Sequence, residues 1–351
     1  FQIRCQVPGK LIYHKDPVTI EPGSPSLPGG QADATQAGRA DGRQRPSIDF
    51  RLAPFRKGTW KSFGFLDRLA HEEVRDIHID PDGTMWFATA GGVSRYDGKG
   101  FISYTKEDGL AHNHISVAAR GPDGAMWFGT EGGVSRFDSS AEPGSARKWQ
   151  SFTTADGLAR DNVVSIAFDA AGSAWFGTGG GSVYGSGNGL SRYDGNRWTS
   201  FTPAQGVPHY DVHALVWDPK GLLWLGTHAG VGQYDGKEFN AKITKADGLL
   251  HDGVHSLFRE GDGTLWIGAH RVVSRYGPTA DSAGAQVLTH LTVKEGFVPD
   301  VANALLRDSR GILWIGTDGM GLFRYDGKTL VRFTHHDGLA GDVIYALRDA
   351  S

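Results

Sequence analysis

His228 and His270 follow two copies of one short motif, Trp224-Leu225-Gly226-Thr227 and Trp266-Ile267-Gly268-Ala269. In the other copies the same place holds Ala90, Glu131, Gly179 and Asp318. Two imidazoles and two carboxylates are ligand types for a divalent metal, and equally groups that hydrogen-bond a polar ligand. A second series stands three residues after a recurrent turn position: His71, His112, Arg160, His209, His251, Pro299 and Gly341. The residues after these are Glu72, Asn113, Asp161, Tyr210, Asp252, Asp300 and Asp342. The plainer reading makes Asp161, Asp252, Asp300 and Asp342 Asx-type turn residues and each lone histidine a solvated loop residue. No Ser-His-Asp order, paired-carboxylate motif, Walker loop or dinucleotide fingerprint is present. Gly179-Gly180-Gly181 and the glycines of 185–189 precede no helical pattern, so they are not phosphate loops.

These residues hang on a repeat. Its core is Trp, an apolar residue, Gly and Thr, at Trp86, Trp127, Trp175, Trp224, Trp266 and Trp314. By subtraction the tryptophans are 41, 48, 49, 42 and 48 residues apart, the length of one four-stranded propeller blade. The second unit shows the four strands: Ile115 to Arg120 (a), Ala125 to Thr130 (b), Val134 to Phe137 (c) and Trp149 to Thr153 (d). Asp-Gly pairs after Tyr96, Tyr193, Tyr234 and Tyr325 supply tight c–d hairpins, because both residue types tolerate positive φ. The aromatic residues are expected to fill the spaces between radially packed sheets.

A seventh strand a is expected at Val343 to Arg348 and a spare strand d at Trp60 to Phe63. The fold class is therefore all-β: a seven-bladed β-propeller of four-stranded antiparallel blades, the last split between the chain ends or incomplete. Its missing strands are expected beyond Ser351, with Phe1 to Gln6 and Leu11 to His14 as the alternative. The propeller is placed at residues 57–351. Residues 1–56 carry strand-like runs at Phe1 to Val7, Lys10 to His14 and Ile48 to Leu52, around a Pro/Gly-rich stretch, Glu21 to Pro46, read as a mobile loop.

Composition narrows the partners. A net charge of -3 over 351 residues, with pI about 6.6, gives no nucleic-acid footprint and no polybasic membrane patch. No run is long and apolar enough to span a bilayer. The 51 glycines have no collagen period and sit in turns. Cys5 is the sole cysteine, so no internal disulfide and no Cys-based zinc site can form.

The units resemble the two-component regulator propeller repeats of bacterial sensor ectodomains. The resemblance rests on Asp-Gly-Leu before strand a, Asp-x-x-Gly before Trp, Trp-x-Gly-Thr and Gly-Val-Ser-Arg-Tyr-Asp-Gly, from about Trp60 onward. It implies a sensing or interaction module outside the cytoplasmic membrane, periplasmic or extracellular. Phe1 to Cys5 and Asp49 to Phe55 resemble the end of a carboxypeptidase-regulatory-like β-sandwich. Trp127 to Glu131 is similar to the Trp-Phe-Thr-Glu repeat of streptogramin lyases, propellers with a metal-assisted His/Glu site. That second likeness implies a different class, a metal-dependent lyase or hydrolase. A purely structural assembly module is the third reading.

In an up-and-down blade, the b–c turns and d–a crossings share one end of the propeller. The candidate ligand site is the mouth on that crossing face: Glu131, His228, His270 and Asp318, with His112, His209 and His251 around the rim. Because blades fan outward, equal positions such as His228 and His270 are expected ten or more Å apart. A long glycine-rich b–c loop in the third unit carries Tyr184, expected to lean over the mouth. The expected partner is a small molecule, a glycan or a protein; no cofactor is required by the sequence, and the metal content is open. Histidines near their ordinary pKa would make binding pH-sensitive between roughly pH 5.5 and 7.5.

Overall fold

The computed structural model describes residues 2–7, 11–14, 60–142, 145, 148–179, 188–278, 286–292, 297 and 301–349. The described strands within 74–104, 115–152, 163–201, 212–243, 254–291 and 302–333 form six four-stranded antiparallel sheets, each with strands a to d in chain order. They are numbered blades 1 to 6. A further four-stranded sheet joins the two ends of the chain, in the order Val343–Asp349, Gln2–Val7, Leu11–His14, Trp60–Phe63. This corrects the expectation that its middle strands lie beyond Ser351. Gln2–Val7 pairs antiparallel with Val343–Asp349, from Gln2 opposite Asp349 to Val7 opposite Val343. Leu11–His14 then bridges to Trp60–Phe63. Residues 15–59, including Ile48 to Leu52 and Asp49 to Phe55, lie outside the described residues. Strand a of each sheet packs beside strand a of the next, and Val343–Asp349 lies between Ala302–Arg307 and Val74–Ile79, so these strands close a ring.

The repeat motif explains how blades stack. All six tryptophans sit on second strands and are at most 7% exposed. In five blades the indole N–H donates to a carboxylate six residues earlier: Trp86 to Asp80 (3.0 Å), Trp175 to Asp169 (3.0 Å), Trp224 to Asp218 (3.4 Å), Trp314 to Asp308 (3.0 Å) and Trp266 to Glu260. The motif glycine is a close-approach residue. A Cβ on Gly177 would lie 2.5 Å from the Val212 carbonyl of the next blade, and one on Gly268 would lie 2.7 Å from that of Ala302. The motif threonine closes the b–c turn: Thr130 Oγ1 donates to the Gly133 carbonyl at 2.9 Å and Thr227 Oγ1 to that of Gly230 at 2.9 Å.

The d–a crossings are equally local. Thr153 caps a 3-10 turn, Thr154–Asp156, and Asp156 returns a carboxylate oxygen to the Thr153 N–H at 2.8 Å. Gly157 follows with φ 112°, and Leu158, 3% exposed, anchors the turn in the core. Asp161, Asp252 and Asp342 accept from the N–H groups of Thr154, Lys245 and His335 seven residues earlier, so they tie the crossing back to its 3-10 turn rather than forming the expected Asx-type turns into strand a. Asp300 lies outside the described residues.

Candidate functional site at the axial mouth

Every strand a carries one β-bulge near its crossing-face end. The register skips Arg75, Ser116, Val164, His213, His255 and Asn303 in blades 1 to 6, and Tyr345 in the end sheet. A bulge re-aims the extra side chain out of the pleat. The preceding residues Val74, Ile115, Val163, Val212, Val254 and Ala302 are fully buried, whereas all seven bulge residues are half-buried. Because the inner strands form a ring, their bulge residues face a common axial throat. Neighbours touch: the Arg75 guanidinium lies 5.3 Å from the Tyr345 ring centroid, and the rings of His213 and His255 are 5.0 Å apart. The Asn303 amide nitrogen is buried without a hydrogen-bond partner.

Blades 4 and 5 converge on histidine. His213 Nε2 faces His228 Nε2 at 2.9 Å, and His255 Nε2 faces His270 Nε2 at 3.0 Å. The His228 and His255 rings are 5.5 Å apart, so the two pairs merge. The link between the equivalent positions His228 and His270 runs through His255. His228 and His270 come from turns, but the bulge histidines between them join the sets. His228 Nδ1 lies 3.4 Å from Oδ2 of Asp211, which is 1% exposed. One ring nitrogen each of His213, His228 and His255 lies within 4.8 Å of the others.

Burial opposes protonation at several of these histidines. Burial, then repulsion from His228, lowers the His213 pKa to about 4. Burial, then repulsion from His213 and His270, lowers that of His255 to about 2. Burial also lowers His228, against the pull of Asp211, and lowers His251. The expected titration of His228 and His251 at an ordinary histidine pKa is therefore displaced toward lower pH, because desolvation penalises imidazolium.

The rim histidines are turn devices as well as surface groups. Nδ1 of His112, His209 and His251 each accept a backbone N–H two residues on, at 3.0 Å, as does Nδ1 of His71. Their orientation is thereby fixed, with Nε2 carrying the proton. The two motif carboxylates do not join the histidine pairs. Exposed Glu131 lies 3.2 Å from Nδ1 of His114; exposed Asp318 donates its N–H to the Val301 carbonyl, and after burial and Glu73 its charge adds to the raised Tyr345 pKa. Tyr184 lies outside the described residues. The sequence reading missed His213, His255 and Asp211. The signal was present as His209-x-x-x-His213 and His251-x-x-x-His255, the same spacing in adjacent units. On the opposite face, one cleft of about 420 Å³ opens between blades 2 and 3 and another of about 390 Å³, lined in part by His290, between blades 5 and 6; neither is lined by the blade 4 and 5 histidines of the mouth.

A family described as two-component regulator propeller matches residues 68–91, 206–229 and 296–319. Those three stretches, 72 of the 351 residues, match the two-component regulator propeller repeat. Each matched stretch runs from a crossing through strands a and b, the part of the blade that builds the mouth. No curated protein matches the chain. Among solved structures it is similar to the extracellular domain of the putative hybrid two component system BT3049 from B. thetaiotaomicron, with 18% identity and TM-score 0.63, over 77% of this chain and 35% of that one. The extracellular domain of the putative one component system BT4673 from the same organism matches at 20% identity and TM-score 0.59, over 78% and 35%. The chain thus spans about a third of those proteins' length. A catalytically inactive virginiamycin B lyase from Staphylococcus aureus, solved with quinupristin, matches at 15% identity and TM-score 0.56, over 74% and 84%. At these identities the likeness is one of fold. Among the described residues no helix is long and apolar enough to cross a membrane, which says nothing of strands.

Proposed function

We propose that this chain is a non-catalytic, ligand-sensing or interaction propeller of an extracytoplasmic bacterial signalling or surface protein, acting in the periplasm or outside the cell. The propeller occupies residues 57–351, and the end sheet completes it as a seventh blade with two strands from 1–56. The observation that carries the reading is the ring of bulges, which turns one side chain of each inner strand into the throat. Arg75, Asn303 and the histidines offer donors and acceptors to a polar small molecule, a glycan or a protein loop inserted into the mouth. Fold-level likeness to sensor ectodomains agrees with this but assigns no ligand.

Calorimetry on the full chain with candidate small molecules and glycans tests the reading, in parallel with a His228→Ala/His270→Ala double variant. A ligand that binds wild type and is weakened at least about tenfold in the variant supports it; about 1.4 kcal/mol corresponds to that factor. Equal affinity in the two proteins sinks the mouth as the binding site. A second reading, a metal-dependent lyase or hydrolase, draws on the same histidines. Its direct test is turnover, and the double variant would then lose activity rather than affinity alone.

A further inference from the structure

The blade 4 and 5 histidines have a feature that ligand sensing does not require: imidazole nitrogens aimed at one another rather than at the mouth. His213 Nε2 and His228 Nε2 are 2.9 Å apart, and a ring nitrogen of His255 falls within 4.8 Å of both. In a neutral pair only one of two facing nitrogens can carry the proton. Two of these residues also have a ring nitrogen engaged outside the trio. His228 Nδ1 is turned toward the buried carboxylate of Asp211 at 3.4 Å, and His255 Nε2 meets His270 at 3.0 Å.

We propose that the axial throat binds one divalent transition-metal ion of the zinc class, held by His213, His228 and His255. Asp211 on His228 and His270 on His255 orient two of the three imidazoles from behind. Nitrogens bound to one tetrahedral zinc at about 2.0–2.1 Å stand roughly 3.4 Å apart, so the His213–His228 pair must open by about half an ångström. His255, within 4.8 Å of both, must close by at most about 1.4 Å. A carboxylate or hydrogen-bonded ring behind a ligating imidazole is the usual outer support of such sites. All-imidazole ligation selects zinc, copper or nickel over magnesium or calcium, which require oxygen. Three protein ligands leave a fourth position for water or a ligand donor atom entering from the mouth. The inference is independent of the sensing reading, since a metal can bind here whether or not the protein reports it.

The test uses the full chain without a polyhistidine tag, loaded with Zn²⁺ near neutral pH, dialysed and analysed for metal. One zinc per chain and a zinc-dependent rise in Tm are expected for wild type. His213→Gln and His255→Gln are expected to weaken binding at least about tenfold and abolish the rise. His112→Gln, at a histidine fixed by a backbone bond, is expected to change neither. Far-UV circular dichroism establishes that the variants fold; if one does not, His228→Gln replaces it. The proposal is overturned if wild type takes up no stoichiometric Zn²⁺, Co²⁺, Ni²⁺ or Cu²⁺. It is also overturned if uptake survives in His213→Gln and His255→Gln, or if it is lost on changing the exposed pair His335 and His336 to Gln instead.

Discussion

The carboxylate of Asp211 stands 3.4 Å from Nδ1 of His228, and the aspartate is only 1% exposed. Its own N–H donates to His209 Nδ1 at 3.0 Å, so one residue fixes a rim histidine through its backbone and a throat histidine through its side chain. Asp211→Asn keeps the shape and removes the charge. It is expected to cost about 1–3 kcal/mol in urea unfolding, the range for an impaired buried polar contact. It is also expected to lower the His228 pKa further, because Asp211 is the group that holds it up. Proton NMR titration of the imidazole reads that shift. An unmoved His228 signal with wild-type stability would show that the two residues are only neighbours.

Trp127 is the one motif tryptophan whose indole N–H is buried without an acceptor. Gly121 stands where the other blades have Asp80, Asp169, Asp218, Glu260 and Asp308. Restoring the repeat with Gly121→Asp is expected to raise stability by about 1 kcal/mol, the net worth of a typical hydrogen bond. The new Cβ would meet Asp123 Oδ1 at 2.5 Å, but this is a side-chain tip, and blade 1 holds Asp80 and Asp82 in the same two places. A lower urea midpoint than wild type would mean that Asp123, tied to Arg136 at 2.7 Å, cannot yield.

What was legible in the sequence follows from which devices are local. Trp-x-Gly-Thr, the Asp before it and the Thr-x-x-Asp-Gly-Leu crossing each act within a few residues and recur, so blade phase and crossing face could be read directly. His213 was hidden because a bulge is a mismatch between two strands. Val212-His213-Ala214 reads as ordinary alternation until Ala214 is seen opposite Gly226 and Val212 opposite Thr227. The end sheet was hidden for a related reason. Gln2–Val7 carries no blade motif, and its partner lies at the far end of the chain. The carboxylate facing the histidines was sought among motif equivalents, Glu131 and Asp318. Asp211 sits instead at the last residue before strand a, where other blades have Glu73, His114, Asn162 and Gly253.

The motif glycine makes a sharper packing prediction than the tryptophan. A Cβ at Gly177 would lie 2.2 Å from Ser165 Oγ and 2.5 Å from the Val212 carbonyl. The serine can rotate, at the loss of its own 3.3 Å bond to that carbonyl, but the carbonyl belongs to the next blade's backbone. Gly177→Ala is therefore expected to cost about 1–3 kcal/mol as overpacking. In blade 1 the same position is already Ala88, fully buried, so Ala88→Gly is expected to cost less, about 0.5–1 kcal/mol, from backbone entropy. Urea midpoints of the two variants decide it. Equal and small effects would show that the blades can slide apart by a few tenths of an ångström.

Two histidines outside the proposed metal set give the protein a predictable acid response. His78, on strand a of blade 1, has its pKa lowered chiefly by burial, although Asp80 at 3.2 Å pulls the other way. His114 is lowered first by burial and then by the charge of Arg75, which outweigh Glu131. A histidine whose folded pKa lies below its unfolded value, about 6.5, binds fewer protons in the native state than in the unfolded chain. Stability therefore rises with pH through this window. Each group's contribution is complete above about pH 6.5 and is lost as pH falls toward the lowered folded pKa. The metal-free protein is expected to unfold at lower urea near pH 5 than near pH 7.5. His78→Gln and His114→Gln, which remove a proton site from both states, are each expected to shrink that difference. Carboxylates also weaken the fold in acid, so the comparison of variant with wild type, not the wild-type slope alone, carries the test. An unchanged pH difference in both variants would show that neither imidazole is held neutral by the fold.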